Sequence, residues 1–231
     1  MRYEERQEAG RILAYELSRL DLGPNVVVAG IPQGGVIVAL PIAARLGAPL
    51  TAVHTRKLSS PLQAEFAFGA MDEDGHTILD YRAMVTLGLG ESDVEAIKAR
   101  IAGEIAQPAA SCLGPGLAAY LPGRTVVLVD DGLATGLTMQ AAITYAQRHG
   151  ATATVVAVPC ASDRAFYEVS SLLSRAGDHL ICPVVDPDFR AVGDYYADFH
   201  PIAEEEIKRV LERAWPRSGS RVLAVPPSRA D

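Results

Sequence analysis

Most of the chemistry this 231-residue chain can offer is concentrated in one run. It reads Val126-Val127-Leu128-Val129-Asp130-Asp131-Gly132-Leu133-Ala134-Thr135-Gly136-Leu137-Thr138-Met139. Four apolar residues predict a buried strand. Asp130 and Asp131 follow at its carboxyl end, where side chains reach a ligand. Carboxylates accept hydrogen bonds from adjacent hydroxyls, and ribose offers such a diol. Ala134 to Thr138 then supply small residues, two hydroxyls and backbone N–H groups at a helix start, which suit a phosphate dianion. Diol acceptors beside a phosphate cradle describe a ribose 5-phosphate site. Taken piecemeal, the acidic pair with Gly132 is only a turn, and Thr135 to Thr138 only a helix cap. The whole pattern favours the ligand reading.

The elements that must position this run alternate along the chain. Residues 3–20 predict a helix, with Ala9, Ile12, Leu13, Leu17 and Leu20 at helical spacing and Gly23-Pro24 as its stop. Asn25 to Ala29 predicts a buried strand ending in Gly30, and residues 34–46 a helix closed by Gly47. Thr51 to His54 predicts a second strand. Segments 64–71 and 76–80 flank Asp72-Glu73-Asp74-Gly75 and predict a β-hairpin. Ser92 with Glu95 suggests a capping box for a helix carrying Ile97, Ile101 and Ile105. Residues 108–123, rich in Pro and Gly, predict a loop. Thr125 to Val129 is a strand, followed by a helix to about Arg148 with Gly150 as its cap. Thr152 to Val158, a helix from Ser162 to Arg175, a strand Leu180 to Val185 and a helix Glu204 to Arg213 complete the order. The tail from Trp215 reads as flexible.

Continuous apolar strands alternating with amphipathic helices predict an α/β fold, a parallel sheet covered on both faces. Ligands bind such sheets at the carboxyl ends of strands. The segments to inspect are therefore Gly30–Gly35, His54–Ser60, Asp130–Thr138 and Pro159–Arg164.

Composition excludes several classes. The chain is 49% hydrophobic, too apolar for disorder. Its formal charge of −7 argues against a general nucleic-acid binder, though not against a small anion held by backbone amides or a metal. The three cysteines, Cys112, Cys160 and Cys182, form no CxxC pair and read as buried thiols in a reducing cytoplasm. The five histidines show no metal-ligand pairing. The charged start lacks a signal-peptide core, and the apolar stretch 26–50 is broken by Pro32 to Gly35, Pro41 and Arg45, so no membrane span is expected. P-loop, GxGxxG, GxSxG and HExxH motifs are absent.

The run 126–139 resembles the PRPP-binding signature of type I phosphoribosyltransferases (PRPP is 5-phosphoribosyl 1-pyrophosphate). Further segments look similar to bacterial phosphoribosyltransferases of unassigned acceptor: Gly30 to Val36, Arg56-Lys57-Leu58, Glu65 to Ala70, and Phe189 to Gly193 with Tyr195-Tyr196 and Asp198-Phe199. The resemblance spans about residues 5–212. It implies the type I phosphoribosyltransferase fold over residues 1–214, with a core of about 25–185, a small hood from 1–22, 59–80 and 186–214, and a tail from 215 to 231. It implies a glycosyltransferase of the pentosyl class in nucleotide and nucleoside metabolism, moving ribose 5-phosphate from PRPP to a nitrogen nucleophile with Mg²⁺ and releasing pyrophosphate.

Residue by residue, the resemblance assigns Asp130 and Asp131 to the ribose hydroxyls, directly or through the metal. Ala134, Thr135, Gly136, Leu137 and Thr138 would hold the 5-phosphate. Pro32, Gln33, Gly34 and Gly35 would hold pyrophosphate with backbone N–H groups, the two glycines permitting close approach. Arg56 and Lys57 are the cations placed for pyrophosphate; a solvated strand end is their alternative reading. Residues 59–80 match a mobile hood hairpin that excludes water. Two departures stand out. Gln33 replaces a common Arg, which removes a charge from the pyrophosphate turn. Ala134 cannot take a proton from a 6-oxopurine, which disfavours such acceptors and leaves an adenine-like or other nucleophile open.

Phe189, Tyr195, Tyr196 and Phe199 are candidates to stack on a base, but packing between the C-terminal segment and the first helix is the favoured reading. The resemblance leaves the acceptor unidentified and makes a homodimer the family expectation, with neither nucleic acid nor membrane as partner. A non-catalytic PRPP- or nucleotide-sensing regulator on the same fold is the competing function. Gln33 leans towards it; Lys57 and the intact 59–80 segment lean back.

Overall fold

The computed structural model describes residues 2–60, 63–105 and 116–214. The chain opens with α1 (Arg6–Leu17), β1 (Val26–Gly30), α2 (Gly34–Leu46) and β2 (Leu50–Ala52). It continues through β3 (Arg56–Ser60), β4 (Gln63–Met71), β5 (Thr77–Leu79), α3 (Tyr81–Thr86) and α4 (Glu91–Ile105). Next come β6 (Thr125–Val129), α5 (Leu137–Arg148), β7 (Ala153–Ala157), β8 (Cys160–Ser162) and α6 (Asp163–Ser171). It closes with β9 (His179–Ile181), β10 (Val184–Asp186) and α7 (Glu204–Ala214).

The central sheet has the order β2-β1-β6-β7-β9 and is parallel throughout. Its strands read as unbroken apolar runs because both faces are covered. One face packs Val28, Val127, Val129 and Val155 against α1, α2 and α7. The other packs Val27, Val126, Leu128 and Val156 against α5 and α6. Helix α1 lies so close on α2 that a Cβ at Gly10 would stand 2.2 Å from the Val38 carbonyl oxygen. The register places Gly30 opposite Val129. The two chain segments leaving β1 and β6 therefore emerge side by side, and the Ile31 N–H donates to the Val129 carbonyl at 2.8 Å.

The predicted hairpin is present but belongs to a three-stranded antiparallel sheet, β3-β4-β5. Arg56 to Ser60 form its first strand, which alternation alone did not reveal because Arg56-Lys57 breaks the apolar pattern. Leu58, Phe68 and Met71 pack beneath α4 through Val94, Ile97 and Ile101.

Four further expectations are corrected. Helix α4 begins at Glu91, not after Ser92: the Asp93 carboxylate reaches back to accept from the Gly90 N–H at 2.9 Å, so the cap sits two residues earlier and is one-sided. Strand β2 ends at Ala52 rather than His54. Helix α6 stops at Ser171 rather than Arg175. Asp178 takes the N–H groups of Arg175 and Thr154, turning the chain back to the sheet. The single strand expected over 180–185 is two, β9 and β10, in different sheets. Pro183 between them has no N–H for a ladder, and the chain crosses there to pair Val184 with Cys160 of β8. Cys112 and the part of the loop from 108 to 115, and the tail 215–231, lie outside the described residues. No helix among the described residues is long and apolar enough to cross a membrane.

Candidate active site

A cleft of about 420 Å³ opens at the carboxyl ends of β1 and β6. Three walls are those expected: the turn Pro32–Gly34, the acidic pair with the loop to Thr138, and Arg56-Lys57. Pro159–Arg164, the fourth segment considered, is absent from the lining. It supports the loop from behind. Leu133 pairs with Ala161, its N–H donating to the Cys160 carbonyl and its own carbonyl accepting from Ser162 N–H, both at 2.9 Å. The Ser162 hydroxyl donates to the Ala134 carbonyl at 2.8 Å and caps α6 by accepting from Ala165 N–H.

Helix α5 starts from Gly136, whose φ of +74° is left-handed. A Cβ there would also meet Ala165 and Val169 at 3.3 Å. Gly136 has no side chain to cap α5. The first-turn amides are thus unclaimed by a cap at the cleft wall formed by Thr135, Gly136 and Thr138. Leu137 buries its side chain against Ala70 and Ala141, leaving only its backbone to the loop.

The acidic pair is half-buried in the cleft. The Asp131 N–H donates to Asp130 Oδ1 at 2.9 Å. Burial pushes the Asp130 carboxyl well above the ordinary carboxylate range, and the neighbouring Asp131 charge adds to it. Asp131 is also raised by burial, against the opposing pull of Arg6 and Lys57. Among the described residues no cation lies within ion-pair distance of Asp130, whereas Asp131 Oδ2 receives Arg6 Nε at 2.8 Å.

The two glycines of the turn permit a close approach within the protein itself. A Cβ at Gly34 would fall 1.8 Å from Asp131 Oδ2, and one at Gly35 would fall 2.5 Å from the Val129 carbonyl oxygen and 2.9 Å from Asp130 Cα. The close approach is between the turn and the acidic pair. Gly35 itself sits behind the cleft wall. The Pro32–Gln33 peptide is cis. Gln33 is exposed on the cleft.

Arg56 and Lys57 are the first residues of β3, not a tail to β2. Both line the cleft, and the Lys57 charge is felt at both aspartates. The aromatic cluster packs on itself: Phe189 on Tyr195 and Tyr196 on Phe199, each at 5.1 Å between ring centroids. Tyr196 is 1% exposed, its hydroxyl donating to the Asp131 carbonyl at 2.7 Å. Tyr3 bonds to the Pro159 carbonyl at 2.9 Å. These rings brace the site, and Val192, Pro201 and Ile202 line its apolar side instead.

Arg6 is the site residue that sequence reasoning missed. It is 7% exposed, yet lines the cleft. Its Nη1 donates to the His200 carbonyl at 3.0 Å, and its guanidinium lies 3.8 Å from the centroid of the Phe199 ring. A signal existed. The apolar stripe of α1 runs Ala9, Leu13, Leu17, and one turn back along the same face is Arg6.

An open parallel sheet with ligand loops at its carboxyl edge, an acidic pair and an adjoining helix-start loop define the type I phosphoribosyltransferase fold. Residues 3–179 match the phosphoribosyl transferase domain, and the chain belongs to that family. It is 36% identical over 212 residues to a protein found in two strains of Mycobacterium tuberculosis and named provisionally as a phosphoribosyl transferase. The match covers 92% of this chain and 47% of that protein. The chain thus spans about half the length of the curated relatives it matches. The crystal structure of TT1426 from Thermus thermophilus is similar at 38% identity and a TM-score of 0.72, covering 92% of this chain and 99% of that one.

Proposed function

We propose that the cleft binds PRPP and that the protein transfers its ribose 5-phosphate to a nitrogen nucleophile, releasing pyrophosphate. One observation carries this reading: Asp130-Asp131, the amide-rich start of α5 and the Arg56-Lys57 pair converge on one cleft. In this reading the amides of 135–138, with the hydroxyls of Thr135 and Thr138, hold the 5-phosphate. Asp130 and the second oxygen of Asp131 accept from the ribose hydroxyls. Lys57 and Arg56 face the leaving pyrophosphate, and the turn Pro32–Gly34 offers it backbone N–H groups. The hairpin 59–80 closes the cleft to water. Catalysis then rests on fixing the sugar and neutralising charge on the leaving group.

The donor set fits Mg²⁺. Two carboxylates stand on one turn, and Asp130 pairs with no cation among the described residues. Magnesium is commonly held by one or two carboxylates plus substrate phosphates. Asp130 and Asp131 would hold it, and a bound ion would supply charge neutralisation at the pyrophosphate. The acceptor side is apolar, through Val192, Pro201 and Ile202, and Ala134 offers no base. This supports a nucleophile that reacts without giving a proton to residue 134. A cytoplasmic place in nucleotide metabolism and a homodimeric state belong to the same proposal.

The test is incubation with PRPP, Mg²⁺ and a panel of bases, reading pyrophosphate release and nucleotide formation. Transfer to at least one base, abolished in Asp130→Asn/Asp131→Asn with the fold retained, is the expected result. Unchanged turnover in that double variant removes the site. PRPP binding without transfer to any base points instead to a sensor, the reading that the uncharged Gln33 on the cleft wall favours.

A further inference from the structure

We infer that Arg6 is a positioning residue that sets Asp131 for the sugar and locks the apolar wall of the cleft to the same carboxylate. The inference rests on the reading of the cleft as a PRPP site.

Arg6 joins three segments far apart in sequence. Its Nε holds Asp131 Oδ2 at 2.8 Å, its Nη1 holds the His200 carbonyl at 3.0 Å, and its guanidinium lies over Phe199. Phe199 and His200 lead directly into Pro201 and Ile202, which line the cleft. The same strap is tied to the N-terminal segment: Tyr3 N–H donates to the Tyr195 carbonyl at 2.8 Å, and Ala197 N–H to the Tyr3 carbonyl at 2.7 Å. The acceptor wall and the sugar-binding acid therefore meet on one side chain.

Burial makes that junction stiff. The side chains of Arg6 and Asp131 are 8% and 16% exposed. Gly34 packs against both, since a Cβ there would lie 2.9 Å from Arg6 Nε as well as against Asp131. Arg6 and the turn that follows β1 thus close together on the same Asp131 oxygen. A planar guanidinium with five donors can serve two acceptors at once while lying flat on a ring; an ammonium cannot. With one oxygen committed to Arg6, Asp131 presents the other in a single orientation. Removing the guanidinium leaves a half-buried carboxylate without its partner and the strap without its anchor.

The experiment is calorimetry of Mg·PRPP, and separately of inorganic phosphate, with wild type, Arg6→Gln, Arg6→Met and Arg6→Lys. Arg6→Met keeps the apolar stem over Phe199 and decides the matter if Arg6→Gln does not fold. No heat from Mg·PRPP with wild type overturns the site reading itself, and the inference with it. Given wild-type binding, Arg6→Gln and Arg6→Met are expected to weaken Mg·PRPP by about tenfold or more, the loss of a charge-assisted bond. Phosphate, which needs only the 135–138 loop, should bind as before, and Arg6→Lys should recover part of the affinity for Mg·PRPP. Wild-type affinity in Arg6→Met overturns the inference. So does an equal loss for both ligands, which signals general damage. In an Asp131→Asn background the further loss from Arg6→Met should vanish; additive losses mean that Arg6 does not act through Asp131.

Discussion

Arg148, the last residue of α5, reaches the buried Asp72 of the β4–β5 turn, Nη2 to Oδ2 at 2.7 Å. Asp72 Oδ1 accepts from the N–H groups of Asp74 and His76, both at 3.0 Å. The same arginine meets Asp74 at 3.0 Å, and His149 meets it at 2.8 Å. Glu73 accepts from the Tyr145 hydroxyl and the His54 N–H, both at 3.0 Å. A turn that read as a simple Asp-Gly hairpin is also the bolt fastening the antiparallel sheet to the central domain. Asp72 and Asp74 face the carboxyl end of α5, where the helix dipole favours the basic residues that hold them.

Asp72→Ala should therefore destabilise the protein by about 2–4 kcal/mol, since it strands two turn amides and an arginine. Arg148→Ala should cost less, about 1–2 kcal/mol, because the arginine is partly exposed and water replaces some of its bonds. Urea unfolding of both variants checks the order. An equal or reversed cost means that the pair, rather than the turn, holds the stability.

Asp80 caps α3 by accepting from the Arg82 and Ala83 N–H groups, and Arg164 of α6 meets it at 2.7 Å. Burial pushes this carboxyl up, but the Ala83 amide and the Arg164 guanidinium outweigh burial and hold it below the ordinary range. A carboxyl depressed on folding stabilises the native state above its unfolded pKa, and the benefit goes as pH falls through the folded value. Asp80→Ala should cost about 1–2 kcal/mol at neutral pH. The gap to wild type should narrow as pH falls below about 4. Stability measured across pH 2 to 7 tests this (the range is about that of carboxylate titration), and a gap that does not shrink in acid rejects it.

Gly34→Ala tests the packing between the turn and the acidic pair. The added methyl has no room, because Asp131 Oδ2 lies 1.8 Å from its position. Asp131 must move and release Arg6. Overpacking costs about 1–3 kcal/mol, and Mg·PRPP binding should fall about tenfold or more with the lost bond. A crystal structure of the variant with Asp131 and Arg6 unmoved, or unaltered PRPP affinity, counts against the arrangement.

The sheet was legible because its central strands β1, β6 and β7 are short, mostly apolar runs that end in or shortly before Gly30, Asp130 and Pro159. The loop at 130–138 was legible for the same reason: its chemistry is contiguous. What escaped was assembled from distant segments. Arg6 and Asp131 are 125 residues apart, and nothing local marks them as partners. The contact of Gly34 with Asp131 was not legible, because a glycine reports that something comes close, not what. Strand β3 hid behind Arg56-Lys57, whose charges serve the cleft at the cost of the strand's apolar alternation. Pro183 was the visible signal that a single strand over 180–185 could not continue.

Gln33 offers the clearest change for the better. It is exposed, neutral and on the cleft beside Gly34, while the buried cation of the cleft, Arg6, is already balanced by Asp131. On the proposed reading, a guanidinium at position 33 would face pyrophosphate through water. One extra charge pair about 4 Å apart contributes about 1 kcal/mol at the dielectric of water. Gln33→Arg should thus tighten Mg·PRPP about fivefold at low salt. The gain must shrink as salt rises, because an exposed pair is screened within about 8 Å at physiological ionic strength. Titrations of wild type and Gln33→Arg at low and high salt measure both. A gain that ignores salt, or none at all, means that residue 33 faces no anion and that the pyrophosphate end of the cleft lies elsewhere.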